Sequence, residues 1–309
     1  MARRRKGRPI HGWIVIDKPA GLSSAQVVGR VRRLTDAAKA GHAGTLDPLA
    51  TGVLPIALGE ATKTVAWAME GRKTYRFTLR WGESRDTDDA EGAVLQTSGV
   101  RPDSAAIGAA LAAFRGTIVQ RPPRYSAIKL DGRRSYELAR AKIDAEPPLR
   151  EVEVDALELI EMIDLDHCVL EMRCGKGAYV RSIARDLALA LGTFGYVSQI
   201  RRLAVGGFVE DGAISLEKLA MLVHSVPPQE YLLPIETALD DIPALALSDS
   251  QANLLRHGRP VRIQAAGRRF VATEGIDEGE TAYAIADGRP VALVRIEQGE
   301  IRPMRVLNL

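Results

Sequence analysis

The segment GHAGTLDPLATG, residues 41–52, places one acidic residue, Asp47, among glycines and beside a proline. Pro48 favours an extended backbone at the residue before it, and Gly44 and Gly52 permit turns that residues with side chains resist. An aspartate in such a turn is most often a solvated turn residue. The apolar segment VLPIAL follows directly, however, and indicates a buried strand. We therefore expect a shaped loop that holds one carboxylate where the chain enters the core.

Strand and helix patterns alternate irregularly along the first 245 residues. GWIVIDK, residues 12–18, is typical of a buried strand, and Ser23 or Ser24 is placed to cap the helix that follows. KTYRFTLRWG, residues 73–82, alternates apolar and polar residues as a half-buried strand does. Because the regular β-α-β order of a parallel sheet is missing, the sequence predicts an α+β fold with a mixed or antiparallel sheet.

Prolines indicate a boundary between this region and the C-terminal part. Pro227, Pro228, Pro234 and Pro243 interrupt regular structure. Beyond them the segment SDSQANLLRHG has a helical pattern, and the dipeptides Asp-Gly and Gln-Gly in the last strand-like segments are typical of hairpin turns. We expect a small β-rich domain over residues 246–309.

Positive charge is concentrated locally. The net charge is +3 at pH 7, but Arg and Lys occupy five of the first eight positions, so the remainder of the chain is slightly acidic. We expect residues 1–9 to form a basic N-terminal arm. Further clusters at 29–34, 121–140 and 198–205 combine arginine with apolar residues, and the second also contains tyrosine. Such local basic faces favour binding to a nucleic acid.

Composition and spacing argue against membrane, metal and nucleotide sites. No apolar run approaches the ~20 residues of a membrane helix, and the basic N-terminus lacks the apolar core of a signal peptide, so we expect a cytoplasmic protein. The histidines lack metal-ligand spacing, GKGAYV lacks the third glycine of a dinucleotide loop, and no Walker A segment occurs. Cys168 and Cys174 are about 20 Å apart along an extended strand, too far for a disulfide. We expect no metal and no cofactor.

Four long segments resemble, in this order and spacing, the bacterial TruB family of tRNA pseudouridine synthases. They are GHAGTLDPLATGVLPIALGEATK, KTYRFTLRWGESRDTDDAEG, PPRYSAIKLDGRRSYELAR, and CGKGAYVRSIARDLALALG with the later IRRLAV. The C-terminal part resembles, less strongly, a PUA-like RNA-binding domain. The resemblance implies a pseudouridine synthase catalytic domain over residues 10–245, with an RNA-gripping insert at about 121–150, and a PUA-like domain over 246–309.

The resemblance also implies a reaction. In this family uridine 55 in the T arm of tRNA is isomerised to pseudouridine, here by a monomer without metal, cofactor or guide RNA. Asp47 is then the nucleophile that attacks the base or the sugar, because covalent catalysis can break and remake the glycosidic bond. Arg181, in the segment YVRS, is the expected counter-charge, and Asp89 is expected to hold that arginine. From pattern alone, Arg181 and Asp89 could equally form an ordinary surface pair.

The other residues that the resemblance implies surround a flipped base. A uridine inside a folded RNA loop must leave it to react, and flipped bases are held by aromatic and apolar faces. Tyr75 matches the family tyrosine that stacks on the base and can handle a proton, and Tyr179 and Leu203 match residues of the same pocket. From pattern alone, Tyr75 and Leu203 would be core residues. His42 is expected to stack within the RNA loop, and Lys18 to support the Asp47 loop or merely to end a strand.

Two other functions remain open from the sequence. An RNA-guided pseudouridine synthase shares the catalytic motifs, although the bacterial form of the motifs and the basic segment 121–134 favour a stand-alone enzyme. A non-catalytic RNA-binding or RNA-folding protein would need no Asp47, and the intact motif around Asp47 argues against it.

Overall fold

The computed structural model describes residues 7–126, 128–130, 132–141, 143, 145–263 and 276–309. Most of the expected basic arm, residues 1–6, and four positions of the expected insert, 127, 131, 142 and 144, lie outside the described residues. The strands are β1 (Gly12–Lys18), β2 (Ala40–His42), β3 (Thr51–Leu58), β4 (Lys73–Trp81), β5 (Glu83–Arg85), β6 (Val94–Thr97), β7 (Gly116–Gln120), β8 (Lys129–Leu130), β9 (Arg133–Arg134), β10 (Arg150–Met162), β11 (His167–Cys174), β12 (Gly195–Val205), β13 (Phe208–Val209), β14 (Ala244–Ala246), β15 (Val261–Arg262), β16 (Thr281–Ala286), β17 (Arg289–Glu297) and β18 (Glu300–Val306).

The helices begin at side-chain caps in several places. Ser23, rather than Ser24, caps the first helix and forms a capping box with Gln26, and Asp103 caps the third. None of the helices in the described ranges is long and apolar enough to cross a membrane. The helices are α1 (Ser24–Thr35), α2 (Val65–Glu70), α3 (Ser104–Leu111), α4 (Ser135–Arg140), α5 (Val180–Ala190), α6 (Leu216–Ser225) and α7 (Asp249–Arg256).

Nine of the described strands form one sheet that carries the site. Its order is β1-β3-β12-β4-β11-β10-β7, with β2 also paired to β3 and β13 to β12. The pair β3 and β12 is parallel, whereas β1 with β3 and β12 with β4 are antiparallel. The sheet is therefore mixed, and the α+β class predicted from the sequence is confirmed.

Apolar clusters fix helices against this sheet. One cluster packs Phe77 and Met172 of the central strands against Ile183 and Leu187 of α5. A second packs α1 and α6 against β1 and β3. The two cysteines lie in the first cluster, unpaired, and burial raises the pKa of both thiols to about 12. As expected, they form no disulfide, and thiols that stay protonated are unreactive.

The parallel contact between β3 and β12 brings the Asp47 loop to the centre of the sheet. Gly52 lies opposite Arg202 at this contact. Its φ is +94°, and a Cβ at this position would lie 2.3 Å from the Arg202 carbonyl oxygen. Because glycine has no Cβ, it adopts this left-handed φ and also leaves room for the Arg202 carbonyl. The Asp47 loop therefore ends at a point fixed by a strand that comes 150 residues later in the chain.

A second sheet follows, with the order β14-β16-β17-β18-β15, and α7 packs against it. Its hairpin turns lie at 287–288 and 298–299 and have left-handed φ values, as the Asp-Gly and Gln-Gly dipeptides predict. The chain end returns to the main body: Leu307 joins a core cluster there, and the amide of Asn308 donates to Glu60 at 2.8 Å. A β-rich C-terminal part is confirmed.

We expect Gly52→Ala to destabilise the protein by several kcal/mol, because the methyl group meets the Arg202 carbonyl and alanine resists this backbone conformation. Gly29→Ala, in α1, is the matched control, since nothing lies within 4 Å of its added Cβ. Alanine is favoured over glycine in a helix by about 1 kcal/mol. Urea unfolding followed by circular dichroism measures both variants. Equal stability of the two would contradict a fixed β3–β12 contact.

Candidate active site

Hydrogen bonds hold the main chain on both sides of Asp47. The Ser24 hydroxyl, at the start of α1, donates to the carbonyl of Leu46 at 3.0 Å and accepts from the amide of Leu46 at 2.8 Å. The carbonyl of Pro48 accepts from the amide of Gly21 at 2.8 Å. The Asp47 side chain itself is 42% exposed. Its neighbours are therefore fixed while the carboxylate stays accessible.

Lys18 is a buried cation directly beneath this loop. Its Nζ donates to the carbonyls of Pro19, Leu22 and Pro48, at 2.9, 2.7 and 3.1 Å. An ammonium has three protons, so the three acceptors match the charged form. Burial lowers the pKa of Lys18 to about 8, although the nearby Asp47 carboxylate opposes that shift. The expectation that Lys18 supports the Asp47 loop agrees with these contacts.

Arg202 is a second buried cation under the loop, and the sequence patterns above miss it. Its Nε donates to the carbonyl of Val53 at 2.8 Å, and its Nη2 donates to the carbonyl of Gly44 at 3.1 Å. The preceding residue, Arg201, points to the other face of β12 and pairs with Asp17 at 2.9 Å. Two adjacent arginines in a strand place one side chain on each face. That alternation is the sequence signal that could have identified Arg202.

Arg181, at the start of α5, joins Asp47 to a third part of the chain. Its Nη2 lies 2.9 Å from Asp47 Oδ2 and also donates to the carbonyl of Tyr125. Its Nη1 donates to the carbonyl of Thr87 and lies 3.4 Å from Asp89 Oδ2. Thr87 and Asp89 belong to the segment 86–92, the acidic loop. Because Arg181 is only 5% exposed, the surface pair considered from the sequence alone is wrong.

The two carboxylates on Arg181 have different surroundings. Asp89 is 5% exposed, and its Oδ1 accepts from the Thr87 hydroxyl and from the amide of Glu91. The Asp47 side chain is 42% exposed although it contacts the same arginine. The buried carboxylate therefore holds the arginine, and the exposed one retains lone pairs that can meet a substrate.

Tyr75 and Leu203 lie beside Arg202 and are partly buried, whereas the pattern alone favours a core position for both. Tyr75, on β4, packs against both large core clusters at their border. Burial raises the pKa of Tyr75, while Arg202, which hydrogen-bonds to the hydroxyl, opposes the shift. Leu203 lies in an irregularity of the β12–β4 pairing, between Arg202 and Ala204. Such bulges redirect side chains next to functional sites.

Tyr179 precedes α5 and is held by a side chain that carries no sequence signal. Gln120, at the end of β7, donates to the Tyr179 carbonyl at 3.0 Å and accepts from the Tyr179 amide at 2.8 Å. Burial raises the pKa of Tyr179.

His42 ends β2, and burial, with the nearby Arg202 charge, lowers its pKa. Its Nδ1 has no hydrogen-bond partner within the described ranges.

The structure brings together the residues that the sequence singled out. Arg181 contacts both aspartates, and the Asp47 charge acts on Lys18, Tyr75 and Tyr179. His42 and Leu203 join the group through Arg202. Among the described residues, no group of three or more His, Cys, Asp or Glu side chains could hold a metal ion.

Two family models match consecutive parts of the chain. The N-terminal domain of the TruB family pseudouridylate synthases matches residues 32–180. The C-terminal domain of tRNA pseudouridylate synthase B matches residues 181–240. Together these matches cover residues 32–240, which include Asp89, Arg181 and Leu203.

Relatives match over the full length. A protein of Rhodospirillum rubrum named tRNA pseudouridine synthase B is 54% identical over 309 residues, which is 100% of both chains. A protein of Caulobacter sp. (strain K31) with the same name is 52% identical over 312 residues, again 100% of both chains.

Solved structures share the fold at lower identity. A crystal structure of a Cbf5-Nop10-Gar1 complex has a TM-score of 0.74 and 24% identity, and the match covers 96% of this chain and 85% of the other. A structure of an H/ACA RNP bound to a substrate RNA containing 2'-deoxyuridine has a TM-score of 0.75 and 23% identity, covering 100% and 92%.

Lys18 makes a pH-dependent contribution to stability that Lys18→Met removes. The folded pKa of about 8 lies below the ordinary 10.5, so between these values the unfolded chain binds more protons and stability rises with pH. The free energy of unfolding of the wild type, minus that of Lys18→Met, should rise by up to about 3 kcal/mol from pH 8 to 10.5. Lys39→Met, at an exposed position, is the control. Its free energy of unfolding should differ from that of the wild type by the same amount at every pH. Urea unfolding at several pH values measures these free energies. A difference between wild type and Lys18→Met that does not change with pH would contradict the lowered pKa of Lys18.

Proposed function

This chain belongs to the TruB family of pseudouridylate synthases, and on that basis we propose that it isomerises uridine 55 in the T-arm loop of tRNA to pseudouridine. The observation that carries the proposal is that relatives named tRNA pseudouridine synthase B match more than half of its residues over their whole length. The site supports it, because an accessible carboxylate meets a buried arginine. The proposed enzyme is a stand-alone monomer that needs no guide RNA, metal or cofactor.

Asp47 is the proposed nucleophile. Its carboxylate attacks either the base or the sugar, and the bond between N1 of uracil and C1′ of ribose breaks. The uracil rotates, C5 joins C1′, and the bond between Asp47 and the substrate breaks, which releases the carboxylate. C5 loses its proton and N1 takes one up, so the reaction is an isomerisation without net gain or loss of atoms or electrons. The loop that carries Asp47 supports this role because its main chain is fixed while the carboxylate is exposed.

Arg181 is the proposed counter-charge of the nucleophile. A guanidinium does not lose its proton in a protein, and it holds a carboxylate in a defined orientation. Two carbonyls and Asp89 fix Arg181 from behind. The bond to one oxygen of Asp47 thus orients the carboxylate and leaves the other oxygen for the attack.

The residues around Asp47 are proposed to receive a flipped uridine. Tyr75 stacks on the base, and its hydroxyl is placed to handle a proton. Tyr179 and Leu203 line the same pocket. His42 is neutral at pH 7 because its pKa is lowered, so an uncharged imidazole is available to stack within the RNA loop.

The remaining proposals concern RNA contacts outside the catalytic centre. The insert (residues 121–150) and the C-terminal domain (residues 246–309) would grip the tRNA around a catalytic domain of residues 10–245. Lys and Arg side chains supply phosphate contacts of this kind, which orient the RNA without reading its sequence.

Asp47→Asn should abolish turnover while tRNA binding persists. The amide keeps the shape but loses the charge, and loss of a nucleophile raises the barrier by several kcal/mol. Asp36→Asn is the matched control, because Asp36 is exposed at the left-handed end of α1 and asparagine adopts that conformation. Pseudouridine mapping in a tRNA transcript measures turnover, and filter binding measures affinity. Activity of about a tenth of the wild type in Asp47→Asn would exclude an essential nucleophile.

An isolated T-arm stem-loop should be modified at the same uridine by the purified protein alone. Recognition in RNA depends on loop shape and extruded bases, and phosphate contacts make the reaction weaken as salt is added. A stem-loop with cytidine at position 55 is the control and should stay unmodified. A stem-loop that is inert until a guide RNA is added would favour the RNA-guided function instead.

A further inference from the structure

Arg185 lies one turn after Arg181 on α5. Like Arg181, it contacts both the acidic loop and the start of the insert. Its Nη1 is 3.0 Å from Oδ2 of Asp88 in the acidic loop. Its Nη2 donates at 2.9 Å to the carbonyl of Arg121, at the base of the insert. Residues four apart on a helix share one face. Unlike Arg181, Arg185 makes no hydrogen bond or ion pair with Asp47 in the described part of the chain.

The acidic loop provides a fixed point for Arg185. The amide of Val197, in β12, donates to the carbonyl of Asp88, and the amide of Ala90 donates to the carbonyl of Val197. The side chains of Asp88 and Arg185 are 15% and 23% exposed, so their charged hydrogen bond is partly shielded from water. Through Asp88, the central sheet thus holds one side of the Arg185 guanidinium.

The base of the insert accepts hydrogen bonds from three residues of α5. The Ser182 hydroxyl donates to the Arg121 carbonyl at 2.8 Å, the same acceptor that Arg185 uses. Four residues later the carbonyl of Tyr125 accepts from Arg181. The segment 121–125 is thus held to α5 at both of its ends.

We propose that Arg185 is a positioning residue that ties the base of the insert to the acidic loop and so sets how the insert meets the RNA. The inference rests on the proposed function, because it takes the insert as a contact for the RNA substrate. Arg185 acts through Arg121 and Asp88 and does not touch the reacting atoms.

A split between KM and kcat tests this role. Arg185→Gln should raise KM for tRNA about tenfold and change kcat less than about threefold, whereas Arg185→Lys, which keeps the charge but loses the planar fork, should lie between. Arg173→Gln, at a side chain 63% exposed on β11, is the control and should match the wild type. A loss of kcat at constant KM would overturn the proposal. So would a lowered melting temperature with constant KM, which is the mark of a purely structural role.

Asp88→Asn tests the contact from the other side. The φ of Asp88 is +60°, which asparagine also adopts, so the variant removes the charge and keeps the backbone. It should raise KM as Arg185→Gln does, and the double variant should be no worse than Arg185→Gln alone. Additive increases in KM would overturn the proposed link between Asp88 and Arg185.

Amide hydrogen exchange provides a readout that needs no activity. Peptides that cover residues 119–126 should exchange faster in Arg185→Gln than in the wild type, while those of β12 keep their rates. Unchanged exchange at 119–126 would overturn the positioning role. If the wild type formed no pseudouridine in any tRNA, the proposed function would fail, and hydrogen exchange would still decide the role of Arg185.

Discussion

The Asp47 loop lies over three buried cations of the described chain, Lys18, Arg181 and Arg202, and each of them donates to main-chain carbonyls. A buried charge costs several kcal/mol unless good hydrogen bonds compensate for it. The carbonyls must therefore remain where the cations need them. Lys18 holds Pro48 on one side of Asp47, and Arg202 holds Gly44 on the other. The position of the Asp47 carboxylate follows from this requirement, because the main chain is held on both sides of it.

Asp47 and Asp89 share the guanidinium of Arg181 but differ in their exposure to solvent. Asp89 is buried, its Oδ1 accepts from two donors of the acidic loop, and its Oδ2 faces Arg181, so it serves to hold this arginine. Asp47 shares the same guanidinium but is 42% exposed. A nucleophile needs a charge and an accessible lone pair together. Arg181 is buried and supplies the counter-charge, while Asp47 is exposed and keeps an accessible lone pair. This combination supports the proposed reaction more directly than either aspartate would alone.

Both parts of the chain that we propose to contact RNA are tied to the central sheet. The insert is held at its base by three side chains of α5, Arg181, Ser182 and Arg185. The C-terminal sheet is held at its end, where Leu307 enters a core cluster of the main body and the amide of Asn308 donates to Glu60. Such contacts reduce the entropy lost when a large ligand binds. RNA contacts far from Asp47 can therefore act on a site whose geometry is already set.

The sequence by itself determined several secondary-structure elements and indicated Asp47 as the candidate nucleophile. Local patterns predicted β1, β4 and the start of α1, the Asp-Gly and Gln-Gly dipeptides predicted the two C-terminal hairpins, and the resemblance in four motifs indicated Asp47 and Arg181. These signals are local, because backbone preferences and side-chain alternation act within a few residues. The tertiary structure alone decided which residues from distant parts of the sequence contact each other. Arg202 reaches Gly44 and Gln120 reaches Tyr179 only because β12 inserts between β3 and β4 and because α5 packs across the sheet. Tyr75 and Leu203 are partly buried for the same reason, since burial depends on strand order and bulges that no short segment specifies.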